Sequence, residues 1–91
     1  MDSYSIVFAK SARKELESLA DQIIDRVLPR IENLADFPRP VGCRKLTGER
    51  NLWRIRIGDY RVIYYVDDQK RIVDIVAVRH RKDAYRYLEN N

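Results

Sequence analysis

The chain has 91 residues, 45% hydrophobic and 35% charged, a composition that fits one small folded domain, spanning residues 1–91, and argues against a disordered chain. The net charge is +4 and the excess is local: residues 1–41 carry six Lys/Arg against seven Asp/Glu, whereas residues 42–91 carry twelve against seven. No apolar run approaches the ~20 residues of a membrane span, the start lacks the pattern of a signal peptide, and a lone Cys43 excludes an intramolecular disulfide and, with a lone His80, argues against the usual zinc sites, so a reducing cytoplasm is expected.

In chain order, YSIVF (Tyr4–Phe8) is short, β-branched and aromatic, and reads as a strand. Ser11 is a candidate helix cap. Ala12, Leu16 and Leu19 then recur at spacings of four and three, which draws one apolar face. Asp21 is a second candidate cap, followed by the helical period of Ile23, Ile24, Val27, Leu28, Ile31 and Leu34. Pro38 and Pro40 end it. Pro29 lies inside the second helix, where it lacks an N–H and clashes with the preceding turn, so a kink or a break is expected there. Ser11–Asp36 is thus a helical hairpin whose apolar stripe covers a sheet.

A polar connection leads to the strands. Trp53, Ile55 and Ile57 alternate with Arg54 and Arg56, so the two sets point to opposite faces. Gly58-Asp59 suits a two-residue hairpin turn, because glycine tolerates positive φ. That turn fixes the register: Ile57 faces Tyr60, Arg56 faces Arg61, Ile55 faces Val62, Arg54 faces Ile63 and Trp53 faces Tyr64. The core face is then Trp53, Ile55, Ile57, Tyr60, Val62, Tyr64 and Val66. The other face is Arg54, Arg56, Arg61, Ile63 and Tyr65. A third strand, Arg71–Val78, adds Ile72, Asp74 and Val76 to the arginine face, and Asp83 is a candidate cap for a short final helix through Leu88.

Directly opposed like charges destabilise a hairpin by up to ~1 kcal/mol, and Asp74 alone cannot neutralise three guanidiniums. Arginines beside Ile63 and Tyr65 therefore point to a surface that grips a polyanion, with single-stranded RNA the leading candidate. His80, flanked by Arg79 and Arg81, is a candidate base or phosphate contact, and Tyr85 a candidate proton donor or acceptor. Asp67 and Asp68 look like turn residues, so a metal nuclease is not expected. No phosphate-cradling glycine loop or nucleophile elbow is present.

The block KLTGERNLWRIRIGDYRVIYYVDD followed by VRHRKDAYR resembles the RelE branch of the RelE/ParE toxin superfamily, small bacterial toxins of type II toxin–antitoxin pairs. The resemblance implies an α+β fold: an N-terminal strand, a helical hairpin on a small, mostly antiparallel sheet, and a short C-terminal helix. It implies ribosome-dependent cleavage of messenger RNA, in which the transcript's own 2′-hydroxyl attacks the adjacent phosphate without a metal or other cofactor. Matched residue by residue, it implies Arg54, Arg56, Arg61, Arg81 and Tyr85 as catalytic. Arg61 would bind the scissile phosphate, Arg81 help the leaving 5′-oxygen and Tyr85 handle the 2′-hydroxyl. His80 is a second-tier candidate. Arg44, Lys45, Arg79 and Lys82 are expected to contact RNA. The resemblance also implies a co-encoded, RelB-like antitoxin. The ParE branch, whose members poison DNA gyrase, is one rival reading, and a non-catalytic RNA-binding module is another.

Overall fold

The computed structural model describes residues 3–46 and 51–84. Strand β1 (Ser5–Phe8) leads to helices α1 (Lys10–Glu17) and α2 (Asp21–Glu32), and a 3-10 turn (Asn33–Ala35) closes the helical layer. Strands β2 (Arg44–Lys45), β3 (Leu52–Ile57), β4 (Tyr60–Asp67) and β5 (Ile72–His80) follow. The sheet order is β1-β5-β4-β3-β2. Only β1 pairs in parallel, with β5; the other pairs are antiparallel. Residues 81–84 are helical.

Ser11 is not the cap of α1. Ala9 occupies that position, Ala20 does so for α2, and neither helix has a side-chain cap. Asp21 is instead the first helical residue, where its carboxylate faces the positive end of the helix dipole. The helix does not break at Pro29. The proline carbonyl still accepts from Asn33 N–H, and the turn tightens only from Asn33. Pro29 lies one turn from the helix end and is exposed, so the main-chain bond it forgoes lies on the solvent side.

Helical side chains Ala12, Leu16, Val27, Ile31 and Leu34 pack on one sheet face, against Ile55, Val62, Tyr64, Val73 and Ile75. Each fully buried aliphatic side chain contributes roughly 1.5–3 kcal/mol of transfer free energy. The β3–β4 register is the one the alternation predicts, including Arg56 opposite Arg61. Gly58 has φ +58°, as the turn requires.

Two features depart from the sequence reading. First, the connection after Asp67 spans residues 68–71, and β5 runs on to His80, with a bulge opposite Ile63/Tyr64. An extra residue in one strand reverses the alternation beyond it. Ile72 and Asp74 keep the predicted face, but past the bulge it is Ala77 and Arg79 that pair with Ile63 and Arg61. Second, Ile63 is fully buried. It forms a smaller core with Leu52 and Ala77, flanked by Leu46, Tyr65 and Val76, on the face away from the helices. Ile63 is therefore packing and offers no surface for a stacked base.

Candidate nucleic-acid interface

The face away from the helices divides in two. One end is the small apolar core around Ile63. The other is cationic, because β-pairing sets Arg56, Arg61 and Arg79 abreast on three neighbouring strands. One row along, Arg44 of β2 pairs with Arg54 of β3. Neighbouring strands lie about 4.8 Å apart, and positions two residues apart on a strand about 6.7 Å apart. The cluster therefore spans roughly the width of one or two nucleotides.

Each member is held differently. Arg61 donates from Nη1 to the carbonyls of Gly58 and Tyr60, both at 3.0 Å, so the hairpin turn aims its guanidinium. Arg56 is exposed and Arg54 half-buried. Arg54 Nε is buried with no hydrogen-bond partner among the described residues. Burial holds the Arg54 guanidinium below its usual range, and the charges of Arg56, Arg61 and Arg44 push it the same way. Arg54 is thus close enough to feel the other three cations. Asp74 sits opposite Tyr65, four residues along β4 from Arg61, too far to neutralise them. Burial pushes its carboxyl pKa up.

Arg79 belongs to the row by register, but Glu15 of α1 holds it. Glu15 Oε2 accepts from Arg79 Nε at 2.7 Å and Oε1 from the Val78 N–H at 3.0 Å. This carboxylate covers the edge of β5 beyond the end of β1. Arg81 is 57% exposed; its N–H donates to Asp59 O at 2.7 Å, and its Nε lies 3.9 Å from Asp59 Oδ1. That contact brings the start of the C-terminal helical turn against the β3–β4 turn, beside the arginine row. Lys82 is exposed on the same turn. Lys45 is exposed on the edge strand but pairs with Trp53, so it belongs to the helix-side face and not to the arginine face. Tyr85 lies outside the described residues.

His80 is set apart from the cluster. It pairs with Tyr60 across the sheet, with the rings edge-to-face at 5.5 Å, on the helix side. Its Nδ1 accepts the Lys82 N–H at 3.3 Å. That is the job of an N-cap for the helical turn that starts at Arg81, and it requires the Nδ1 lone pair. His80, not Asp83, stands in the capping position.

Sequence reasoning missed Arg30. This α2 residue lines an open cleft of about 630 Å³ beside β3, together with Gly42, Cys43, Arg44, Arg54 and Arg56. Its place after Pro29, at the polar end of the helix, was the only signal available. Among the described residues no group of His, Cys, Asp or Glu is arranged to hold a metal ion.

A family model described as ParE toxin of type II toxin–antitoxin system, parDE, matches residues 6–85. The toxin RelG of Mycobacterium tuberculosis is 34% identical over 87 residues, covering 91% of this chain and 97% of that protein. The mRNA interferase toxin RelE of Escherichia coli K12 is 26% identical over 89 residues, covering 96% and 93%. Among solved structures, RelE in the archaeal RelE–RelB complex from Pyrococcus horikoshii superposes with a TM-score of 0.77 at 33% identity, covering 87% of this chain and 96% of that one. The intact E. coli RelBE toxin–antitoxin complex gives 0.76 at 25% identity, covering 86% and 96%.

Proposed function

Because the chain belongs to the ParE toxin family of type II toxin–antitoxin systems and is a RelE-type toxin, we propose that it is a single-domain endoribonuclease that cuts messenger RNA on the ribosome and so inhibits translation in the cytoplasm. The observation that carries this reading is the set of arginines, Arg54, Arg56, Arg61 and Arg44, that strand register gathers on one face of the sheet. The printed name of the E. coli relative as an mRNA interferase supports it.

The chemistry this face can support is an internal transesterification that needs no metal. The 2′-oxygen of the transcript bonds to the adjacent phosphorus and the P–O5′ bond breaks, leaving a 2′,3′-cyclic phosphate and a 5′-hydroxyl. One proton leaves the 2′-hydroxyl and one reaches the 5′-oxygen. Negative charge builds on the phosphoryl oxygens, and prealigned cations stabilise it most there. Arg61, fixed by the turn carbonyls, serves as the phosphate clamp, with Arg54 and Arg56 beside it. An arginine stays protonated at neutral pH, so these side chains stabilise charge and do not act as bases. Arg81 helps the leaving 5′-oxygen and Tyr85 handles the 2′-hydroxyl. Arg44, Lys45 and Lys82 contact backbone phosphates. Arg79 has the weaker claim, since Glu15 already neutralises it, and His80 has the weakest, since it caps a helical turn on the other face.

The partner is a co-encoded, RelB-like antitoxin that covers part of the helical hairpin and masks the basic face. Primer extension on transcripts from cells producing the toxin tests the activity: cuts within translated codons, lost in Arg61→Ala, are expected. Intact transcripts together with DNA damage signalling would move the protein to gyrase inhibition, the reading that the family model's ParE description favours. RNA binding without cleavage on ribosomes would make it a passive module.

A further inference from the structure

Strand β2 pairs with β3 at Arg44–Arg54 and Lys45–Trp53. Beyond that, no strand among the described residues pairs with residues 55–57 of β3 on that side, and a cleft lined by Arg30, Gly42, Cys43, Arg44, Arg54 and Arg56 lies there. Leu46 N–H bonds to Leu52 O. By the alternation of an antiparallel strand, the main-chain N–H of Arg56 therefore turns toward this same open edge. Among the described residues no carboxylate lines the cleft. Among the described residues, none of its four arginines forms an ion pair. Arg54, whose Nε is buried without a hydrogen-bond partner among the described residues, is part of its wall. One helical turn before Arg30, Arg26 reaches the β3–β4 turn, its Nη2 2.9 Å from where a Cβ on Gly58 would sit. Basic side chains thus continue from the arginine row, around the sheet edge, to α2.

We propose that this cleft is a second phosphate subsite, in which Arg30 and Arg44 hold an RNA phosphodiester next to the one clamped at Arg61. The inference rests on the ribonuclease reading and deepens it. Arg54 and Arg56 border both places, so one continuous polyanion fits the geometry better than two separate anions. Guanidiniums also match phosphate bidentately. The volume admits a nucleotide, and four arginines against only Val41 and Ile55 as apolar lining disfavour the apolar stripe of a partner helix. The phosphate comes either from the transcript flanking the cut or from ribosomal RNA.

The test measures binding and does not need cleavage. A fluorescent, uncleavable ten-nucleotide 2′-O-methyl RNA is titrated with the full-length toxin across a salt series, and sedimentation with vacant host ribosomes is run in parallel. Loss of one phosphate contact lowers the slope of log K against log salt by about 0.7 for a single strand. Arg30→Ala should lower the slope by that amount and weaken binding about three- to tenfold, and Arg30→Lys should restore most of the slope. The same thermal midpoint in Arg30→Ala and Arg30→Lys ties the loss to charge. Weakening with the oligonucleotide assigns the transcript, and weakening with ribosomes alone assigns ribosomal RNA. Unchanged binding in both assays overturns the proposal. So does an Arg30→Ala defect confined to antitoxin binding, which would make the occupant an acidic peptide. A wild type that binds RNA but never cuts would sink the ribonuclease reading and leave this subsite standing, whereas a wild type that cuts alongside a silent Arg30→Ala would sink only the subsite.

Discussion

Replacing Arg56 with threonine should raise the salt-sensitive part of the fold's stability while impairing cleavage. Arg56 faces Arg61 directly across the hairpin, with Arg54 two residues along the same strand. Guanidinium groups about 7 Å apart in bulk water repel by about 0.6 kcal/mol before screening. With a Debye length of about 30 Å at 0.01 M salt and about 8 Å at 0.15 M, each repulsion becomes about 0.5 and about 0.25 kcal/mol. Two such neighbours make the row cost about 1 kcal/mol at low salt and about half that at physiological salt. The exchange of Arg for Thr also changes strand propensity, by an amount as large as the effect sought. That term does not depend on salt, so the change of the difference with salt isolates the charge. The assay is thermal unfolding of wild type and Arg56→Thr at both salt concentrations. A change of about 0.5 kcal/mol corresponds to about 2–4 °C for a domain of this size. The gap between variant and wild type should therefore shrink by that much on adding salt. A gap that stays constant or widens would mean the arginines do not repel as their register requires, and the polyanion argument would lose its footing.

Three further outcomes follow from particular contacts. Asp68 accepts a bidentate pair from Arg39 (2.7 and 3.1 Å) and a hydrogen bond from Tyr4 Oη (2.6 Å), which hold its carboxyl pKa below the ordinary 3.8. A folded pKa below the unfolded one gives stability that is present above pH 3.8 and lost as pH falls through the folded value, so Asp68→Asn should flatten the acid limb of an unfolding-versus-pH curve below pH 4. Tyr64 is fully buried and donates to Pro38 O at 2.7 Å; Tyr64→Phe should cost about 1–2 kcal/mol in denaturant unfolding, and no change would mean the segment at Pro38 does not depend on that bond. Ile63→Ala should cost about 2–4 kcal/mol by the same assay, because the side chain is wholly buried with Leu52 and Ala77; a neutral result would restore Ile63 to the exposed surface.

What the sequence disclosed follows from which forces are local. The β3–β4 register was legible because two constraints agree. Strict alternation in Trp53–Ile57 fixes the faces, and Gly58-Asp59 fixes the turn length. The position of Arg79 was not legible, because it depends on a bulge that no turn residue marks. The only hint is the unbroken apolar run Ile75–Val78, where a two-sided strand covered on both faces loses its alternation. Ser11 and Asp21 were read as caps by residue type, but the chain starts each helix one or two residues earlier, at an alanine, because the apolar stripes and the β1–α1 connection set the helix ends. Arg30 escaped notice because its meaning comes from a strand twenty-odd residues away in sequence.

The bulge also separates two roles that sequence adjacency had merged. Arg79 and His80 are neighbours, and both were candidates for contact with RNA. With unbroken alternation His80 would have shared the face of Asp74 and Val76. The extra residue instead brings Arg79 beside Arg61 and sends His80 to Tyr60. Glu15 then satisfies Arg79, and Lys82 N–H satisfies His80 Nδ1. On the arginine face, Arg44, Arg54 and Arg56 have no acid partner among the described residues, and they lie on the side of the hairpin away from β5. Charge that the fold has not neutralised is charge available to a ligand, so the phosphate path should run from Arg61 along β3 and the open edge beside it, while Glu15 holds Arg79 back.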